Sequence, residues 1–194
     1  MVKRVILLSG DFTENMELFA PLHALQMLGI EVSTVCPGKK KGEKVSTAVH
    51  DFEQWQTYTE KQGHQLTLNA SWEEVFQTYK EYDGLWIPGG RAPEYLRMNP
   101  EVLEVANYFK ESGKPLAAIC HGPQILVACG GLQGRKLTAY PAQEIEVKLA
   151  GAEWVKTDFD QAIVDGNIVT GPAWSANPAV LKHFIELLGV KICF

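Results

Sequence analysis

Cys120-His121 is the pair in this chain best suited to covalent chemistry. It ends the apolar run Leu116-Ala-Ala-Ile119 and is followed by Gly122-Pro123-Gln124, then by Ile125, Leu126, Val127 and Ala128 up to Gly130-Gly131. A strand that turns sharply into a helix lifts the residue at the turn clear of the sheet. It also aims backbone N–H groups, and the positive end of the helix, at whatever that residue attacks. The pattern is a nucleophile elbow with Cys120 as nucleophile, and the helix end predicts a depressed thiol pKa. His121 is the candidate base or thiolate partner, a role that needs direct hydrogen-bond reach. The plain alternative is a solvated histidine at a helix end.

Two other segments, Ser9 to Glu17 and Pro88 to Glu94, leave predicted strands at the same edge of the sheet. Glu17 follows the first strand among the apolar residues Met16, Leu18 and Phe19. Burial there would raise its pKa and let a protonated carboxyl donate a hydrogen bond to the thiolate. Gly89-Gly90 ends another strand and suggests close backbone approach or an anion-binding nest. With the amide of His121, these N–H groups form a candidate oxyanion hole. Glu94 lies just beyond and is a weaker candidate. His50 (with Asp51, Trp55 and Tyr58) and Trp174 are read first as structural residues, with the mouth of the site as the alternative. His23 sits at helical spacing among leucines and reads as a core or interface residue. Cys36 reads as structural, and Cys129 and Cys193 as core or surface thiols. No histidine or cysteine spacing fits a metal, and no G-x-G-x-x-G follows the first strand, so neither a metal nor a dinucleotide cofactor is expected.

The elements that must position these groups follow from periodicity and punctuation. Val5–Leu8 is a first buried strand, and Leu18, Leu22, Leu25 and Leu28 mark a helix closed by Gly29. Pro21 predicts a break in that helix, so Glu17 is placed in a turn before a restart. Glu31–Val35 completes a βαβ unit and with it a parallel sheet. Residues 42–70 read poorly: Val45–Val49 and Gln65–Leu68 suggest a hairpin at one edge. Ser71-Trp-Glu-Glu74 is a capping box. Leu85–Ile87 is a strand, Asn99-Pro100 opens a helix stopped by Gly113, and Gln143–Leu149 is another helix. Ile163–Val169 is a hairpin around Asp165-Gly166, and Asn177-Pro178 opens the last helix. The expected fold class is α/β, a mostly parallel sheet with helices on both faces, as one domain over 1–194. In such sheets ligands bind outside the carboxyl ends of the strands, where the three segments converge.

Composition narrows the function. The 194 residues carry a net charge of -5 with 46% apolar and 21% charged residues. There is no basic stripe, which argues against nucleic acid as a partner. The apolar start is short and is followed by Asp11 and Glu14 without a small-residue cleavage site, so it is read as a strand and not a signal peptide. No apolar run approaches the ~20 residues of a membrane span. Four cysteines without pairing or metal spacing point to a reducing, cytoplasmic setting. Asn69-Ala70-Ser71 matches a glycosylation acceptor only by coincidence in that setting.

Taken together, Ile87-Pro-Gly-Gly-Arg-Ala-Pro-Glu94-Tyr-Leu, Gly113-Lys-Pro, Ile119-Cys-His-Gly-Pro-Gln124, Gly134-Arg-Lys, Asp165-Gly-Asn and Val169-Thr-Gly resemble the ThiJ/PfpI superfamily. This is the class I glutamine amidotransferase-like group that contains the Parkinson-associated protein and the PfpI proteases. Thr34-Val-Cys-Pro-Gly-Lys-Lys40, Thr47-Ala-Val-His-Asp-Phe52, Gln56-Thr-Tyr58, Gly63-His64 and Leu68-Asn-Ala70 are similar to single halves of the plant two-domain glyoxalase III members. The resemblance implies a flavodoxin-like three-layer sandwich and subunit association as a dimer, trimer or hexamer. It also implies a cofactor-free conversion of methylglyoxal or glyoxal to the 2-hydroxy acid, with Cys120, His121 and Glu17 as catalytic residues. Glu94 matches a glutamate that, in PfpI-type members, supports the histidine from the adjacent subunit. Gly122-Pro123-Gln124 has the protease-branch form, which keeps open an intracellular cysteine peptidase or deglycase. A third reading is a redox-sensing stress chaperone that oxidises Cys120 without turnover.

Overall fold

A computed structural model of the protein describes residues 2–191. The chain runs β1 (Arg4–Leu8), β2 (Thr13–Glu14), α1 (Asn15–Met27), β3 (Glu31–Val35), β4 (Lys44–Val49), β5 (Lys61–Thr67), α2 (Trp72–Thr78), β6 (Gly84–Ile87) and α3 (Ala92–Leu96). It continues through α4 (Pro100–Ser112), β7 (Leu116–Ile119), α5 (Pro123–Cys129), β8 (Lys136–Leu137), α6 (Glu144–Leu149), β9 (Glu153–Trp154), β10 (Ile163–Asp165), β11 (Ile168–Gly171) and α7 (Asn177–Leu187). Six strands form the central sheet in the order β10-β11-β7-β6-β1-β3. All pairs are parallel except the β10–β11 hairpin. Counting only the parallel strands in chain order, the spatial order is 2-1-3-4-5. That is the flavodoxin-like arrangement, and its switch point lies between β1 and β6.

The alternation of side chains along β1 builds the three layers. Ile6 and Leu8 face one core with Trp72, Val105, Phe109 and Ile125, while Val5 and Leu7 face the other with Leu18, Leu25, Val180 and Phe184. Helices α1 and α7 therefore cover one face, and α2, α4, α5 and α6 the other. Each buried leucine or phenylalanine in these layers contributes roughly 1.5–3 kcal/mol relative to its exposed state. Asn99 caps α4 by accepting from the Glu101 N–H at 2.9 Å, and Gly113 ends that helix in the left-handed region at φ 76.

Three expectations are corrected. Helix α1 passes through Pro21 without a break, so Glu17 lies in its first turn. The proline removes the N–H that would serve the Glu17 carbonyl, and the Trp86 indole N–H donates to that oxygen instead, at 3.1 Å. The β4–β5 hairpin exists, but it joins β2 in a separate three-stranded sheet and does not extend the edge of the main one. An antiparallel bridge between Thr13 and Gly90 holds that small sheet over the carboxyl ends of the main strands. Ser71 precedes α2 but makes no side-chain capping bond. Asn177-Pro178 does open α7, and the Asn177 amide donates to the Met16 carbonyl at 3.1 Å.

Asn69 has a structural role that explains its place in the sequence. Its side chain accepts from Thr34 N–H at 2.8 Å and donates to the Val32 carbonyl at 2.8 Å, satisfying polar groups along the open edge of β3. Among the described residues no helix is long and apolar enough to cross a membrane.

Candidate active site

Cys120 stands between the end of β7 and the start of α5 with φ 58. A non-glycine residue held in the left-handed region is strained, and such strain persists only where the surroundings over-determine it. Here the Cys120 N–H donates to the Gly171 carbonyl at 2.9 Å and its own carbonyl accepts from Tyr140 N–H at 3.0 Å. The turn also demands Gly122, since a Cβ there would stand 2.5 Å from the Ile87 carbonyl oxygen and 2.9 Å from that of Ile119. The sulfur of Cys120 lies 3.2 Å from His121 Nδ1. The N–H groups of Gly90 and His121 point at it and favour its charged form.

Glu17 reaches the same sulfur from α1. It is fully buried, and its Oε2 accepts from Gly89 N–H at 2.7 Å. Its Oε1 has no hydrogen-bond partner among the described residues apart from the Cys120 thiol that faces this carboxyl. Burial, and then the neighbouring Glu14 carboxyl, push its pKa well above the ordinary carboxylate range. Glu14 was not legible as a site residue in the sequence. It caps α1 by accepting from Glu17 N–H at 2.7 Å and is 1% exposed. Burial raises it to about 7, against the pull of the N–H groups of Glu17, Met16 and His50. Two adjacent buried carboxyls thus favour a proton on Glu17.

The expectation of a depressed Cys120 pKa is corrected. Burial pushes the thiol up, and the Glu17 carboxylate adds to the shift, outweighing the two backbone N–H groups. Cys120 and Glu17 are therefore one proton-sharing pair, in which thiolate forms only with the proton on Glu17. Burial, with His50 adding, lowers His121 to about 4, so its ring is neutral at physiological pH. It meets the sulfur as an imidazole and not as a cation.

Gly89 is also corrected as an oxyanion donor. Its N–H is already given to Glu17, so only Gly90 and His121 remain for an anion at the sulfur. What position 89 requires is absence of a side chain: a Cβ would stand 2.6 Å from Cys120 Cβ, 2.7 Å from Glu17 Oε2 and 2.7 Å from His121 N.

The space over the sulfur is a small pocket, with room for about one water, lined by His50, Tyr58, Gly90, Cys120, His121, Tyr140 and Trp174. His50, Tyr58 and Trp174, read first as structural, thus all face the cavity. Trp55 does not; it is 62% exposed. The β4–β5 loop roofs the cavity. Phe52 stacks on Trp174 with ring centroids 4.8 Å apart, and Tyr58 meets His121 edge-on at 5.8 Å. Tyr140, which no sequence signal singled out, stacks on His121 at 5.0 Å. Glu94 is exposed on α3 and makes no hydrogen bond with these residues in its own chain. Cys36 and Cys129 lie elsewhere, and burial raises each to about 11, consistent with structural thiols. His23 is exposed, not core, with its ring 5.9 Å from Phe19. Cys193 lies outside the described residues. Among the described residues no group of three histidine, cysteine or carboxylate side chains could hold a metal ion.

The chain is similar to "Protein DJ-1 homolog D" of Arabidopsis thaliana, with 47% identity over 99% of this chain and 49% of that protein. This chain spans about half the length of that relative and of two further Arabidopsis thaliana DJ-1 homologues. It is 35% identical to "Deglycase PfpI" of Pyrococcus furiosus, over 95% of this chain and 99% of that protein. Among solved structures, Drosophila melanogaster DJ-1beta shares the fold with a TM-score of 0.79 at 23% identity, covering 97% of this chain and 92% of that one. The model of the DJ-1/PfpI family matches residues 3–187, and the chain belongs to that family.

Proposed function

We propose that the protein converts methylglyoxal or glyoxal to the 2-hydroxy acid without glutathione, metal or other cofactor, in the manner of a glyoxalase III. The observation that carries this reading is a sulfur beside one protonatable carboxyl, one neutral imidazole and two backbone N–H groups, under a small pocket walled by His50, Tyr58, Tyr140 and Trp174.

The steps need no oxidant, reductant or added cofactor. The Cys120 thiolate adds to the aldehyde carbon C1, and the N–H groups of Gly90 and His121 hold the resulting alkoxide. Glu17 gives its proton to that alkoxide and is left as a carboxylate beside C1. It then takes the C1 hydrogen as a proton and returns it at C2 through an enediol, while the proton of the C1 hydroxyl passes to the oxygen on C2, which turns the hemithioacetal into the thioester of the 2-hydroxy acid. His121, neutral and in contact with the sulfur, assists water in releasing the acid and restoring the thiol. A reducing compartment such as the cytoplasm keeps Cys120 in the form this chemistry needs.

Glu94 enters this reading only through a second copy of the chain. It is exposed and bonds to none of the cavity residues of its own subunit, so supporting His121 requires a homo-oligomer.

The test is lactate production from methylglyoxal without glutathione or added metal. Wild type should turn over and Cys120→Ser should not; unchanged turnover in Cys120→Ser refutes the reading. A second reading, protein deglycase, draws on relatives such as the Pyrococcus abyssi protein named a deglycase, 37% identical over 99% of its length. It begins with the same attack by sulfur but needs room for a side chain carrying the adduct. Release of lactate from a glycated peptide faster than from free methylglyoxal at equal concentration would favour it.

A further inference from the structure

We propose that His50 holds the second oxygen of the substrate, the one on C2, and that Glu60 and Arg91 orient it for that task. The inference rests on the glyoxalase reading and adds a residue to it. Gly90 and His121 account for the oxygen on C1, but a 2-oxoaldehyde carries another oxygen, which the reaction changes from ketone to hydroxyl. That oxygen needs a partner able to donate in one state and accept in the other, as an imidazole nitrogen can.

His50 meets the requirement by position. It follows the last residue of β4, is 4% exposed and lines the cavity with Cys120. Its Nε2 lies 3.1 Å from Glu60 Oε2, at the residue that precedes β5. Glu60 is gripped in turn by Arg91 through two bonds of 2.8 and 2.9 Å. Such a bidentate pair fixes the carboxylate plane as well as its distance. With Nε2 committed, Nδ1 makes no hydrogen bond among the described residues and is the nitrogen left for a ligand. Tyr58 packs edge-on against the ring at 5.0 Å and limits its rotation. His50 thus acts on the substrate, while Glu60 and Arg91 are positioning residues.

The proton count closes. As Glu17 takes the C1 hydrogen, His50, entering as an imidazolium with its Nε2–H on the Glu60 carboxylate, gives its Nδ1 proton to the oxygen on C2, forming the enediol. As Glu17 returns its proton to C2, the hydroxyl on C1 gives its proton back to His50 and becomes the thioester carbonyl.

A structural alternative is that His50 and Glu60 merely clasp the neck of the 51–60 loop, where Thr59 N–H also donates to the Asp51 carbonyl at 2.9 Å. Propionaldehyde separates the two. It lacks the second oxygen but can add to Cys120, so it should inhibit competitively. In His50→Ala, kcat/KM for methylglyoxal should fall by about 10²-fold, on the scale of a lost proton-transfer group. The inhibition constant of propionaldehyde should stay within about twofold of wild type, within the scatter of uncoupled sites. Glu60→Gln, which leaves His50 in place, should show the same split with a smaller fall. Unchanged kcat/KM in His50→Ala overturns the proposal. So does an equal loss of propionaldehyde binding, the result a collapsed loop would give. If wild type makes no lactate, the glyoxalase reading fails separately. Protection of Cys120 from iodoacetamide by methylglyoxal then decides: the proposal requires His50→Ala to weaken that protection while leaving protection by propionaldehyde intact.

Discussion

Replacing Trp86 by phenylalanine should unseat Glu17 while leaving every catalytic side chain in the sequence. Pro21 cannot donate to the Glu17 carbonyl, and the Trp86 indole is the group that does, at 3.1 Å in a fully buried setting. A buried carbonyl left without a partner costs about 1–3 kcal/mol. The smaller ring adds about 1 kcal/mol for the volume lost beside Phe184. For a domain of this size that sum corresponds to a fall in Tm of roughly 4–16 °C, at about 2–4 °C per kcal/mol. The hydrogen-bond part can be isolated, because Pro21→Ala restores the missing N–H at the position where an unbroken helix places it. Urea unfolding of the wild type, both single variants and the double variant gives the coupling energy directly. Trp86→Phe should cost about 1–3 kcal/mol less in the Pro21→Ala background. Additivity within about 0.5 kcal/mol would refute the claim that the indole replaces the helix bond. Activity should track the cycle, with Trp86→Phe losing turnover and the double variant regaining part of it.

Further outcomes follow from the same geometry. Gly89→Ala should abolish turnover, because the new methyl group meets Cys120, Glu17 and the His121 amide inside 2.8 Å; wild-type kcat would contradict the packing described. Glu14 has a native pKa of about 7 against an ordinary value of 4.5, so the native state holds an extra proton between those values. Its contribution is complete below pH 4.5 and lost as pH rises through about 7, so urea stability should fall over that window and Glu14→Gln should flatten the fall. A slope that survives the substitution would assign the proton elsewhere. The His121 ring should titrate near 4 in an NMR pH series; a midpoint between 6 and 7 would mean an imidazolium at the sulfur. Phe52→Ala removes the ring stacked on Trp174, and should speed alkylation of Cys120 by a bulky maleimide more than by iodoacetamide.

The strands, most helix ends and the elbow could be read because each depends on local punctuation. Asn99 and Gly113 bracket α4 by side-chain and backbone rules that act within one turn. Pro21 misled for the same reason: its cost depends on whether a distant side chain serves the orphaned carbonyl, and Trp86 lies 65 residues away in sequence. The thiol pKa misled because a helix end is local and burial is not. Glu14 and Tyr140 join the site through tertiary packing on Glu17 and His121, and neither carries a periodicity or spacing that marks it. His50 and Tyr58 sit in the stretch with the weakest pattern, where a second small sheet, not the main one, sets their direction.

The proposed reaction depends most on a carbon–sulfur bond to Cys120 with Glu17 carrying the proton. Mixing enzyme in excess with isotope-labelled methylglyoxal, quenching in acid and mapping peptides by mass spectrometry reads that bond directly. Label should appear on the peptide containing Cys120, accumulate in Glu17→Gln, and be missing in Cys120→Ala. Label on another residue, or lactate formed with Cys120 never modified, would contradict the account.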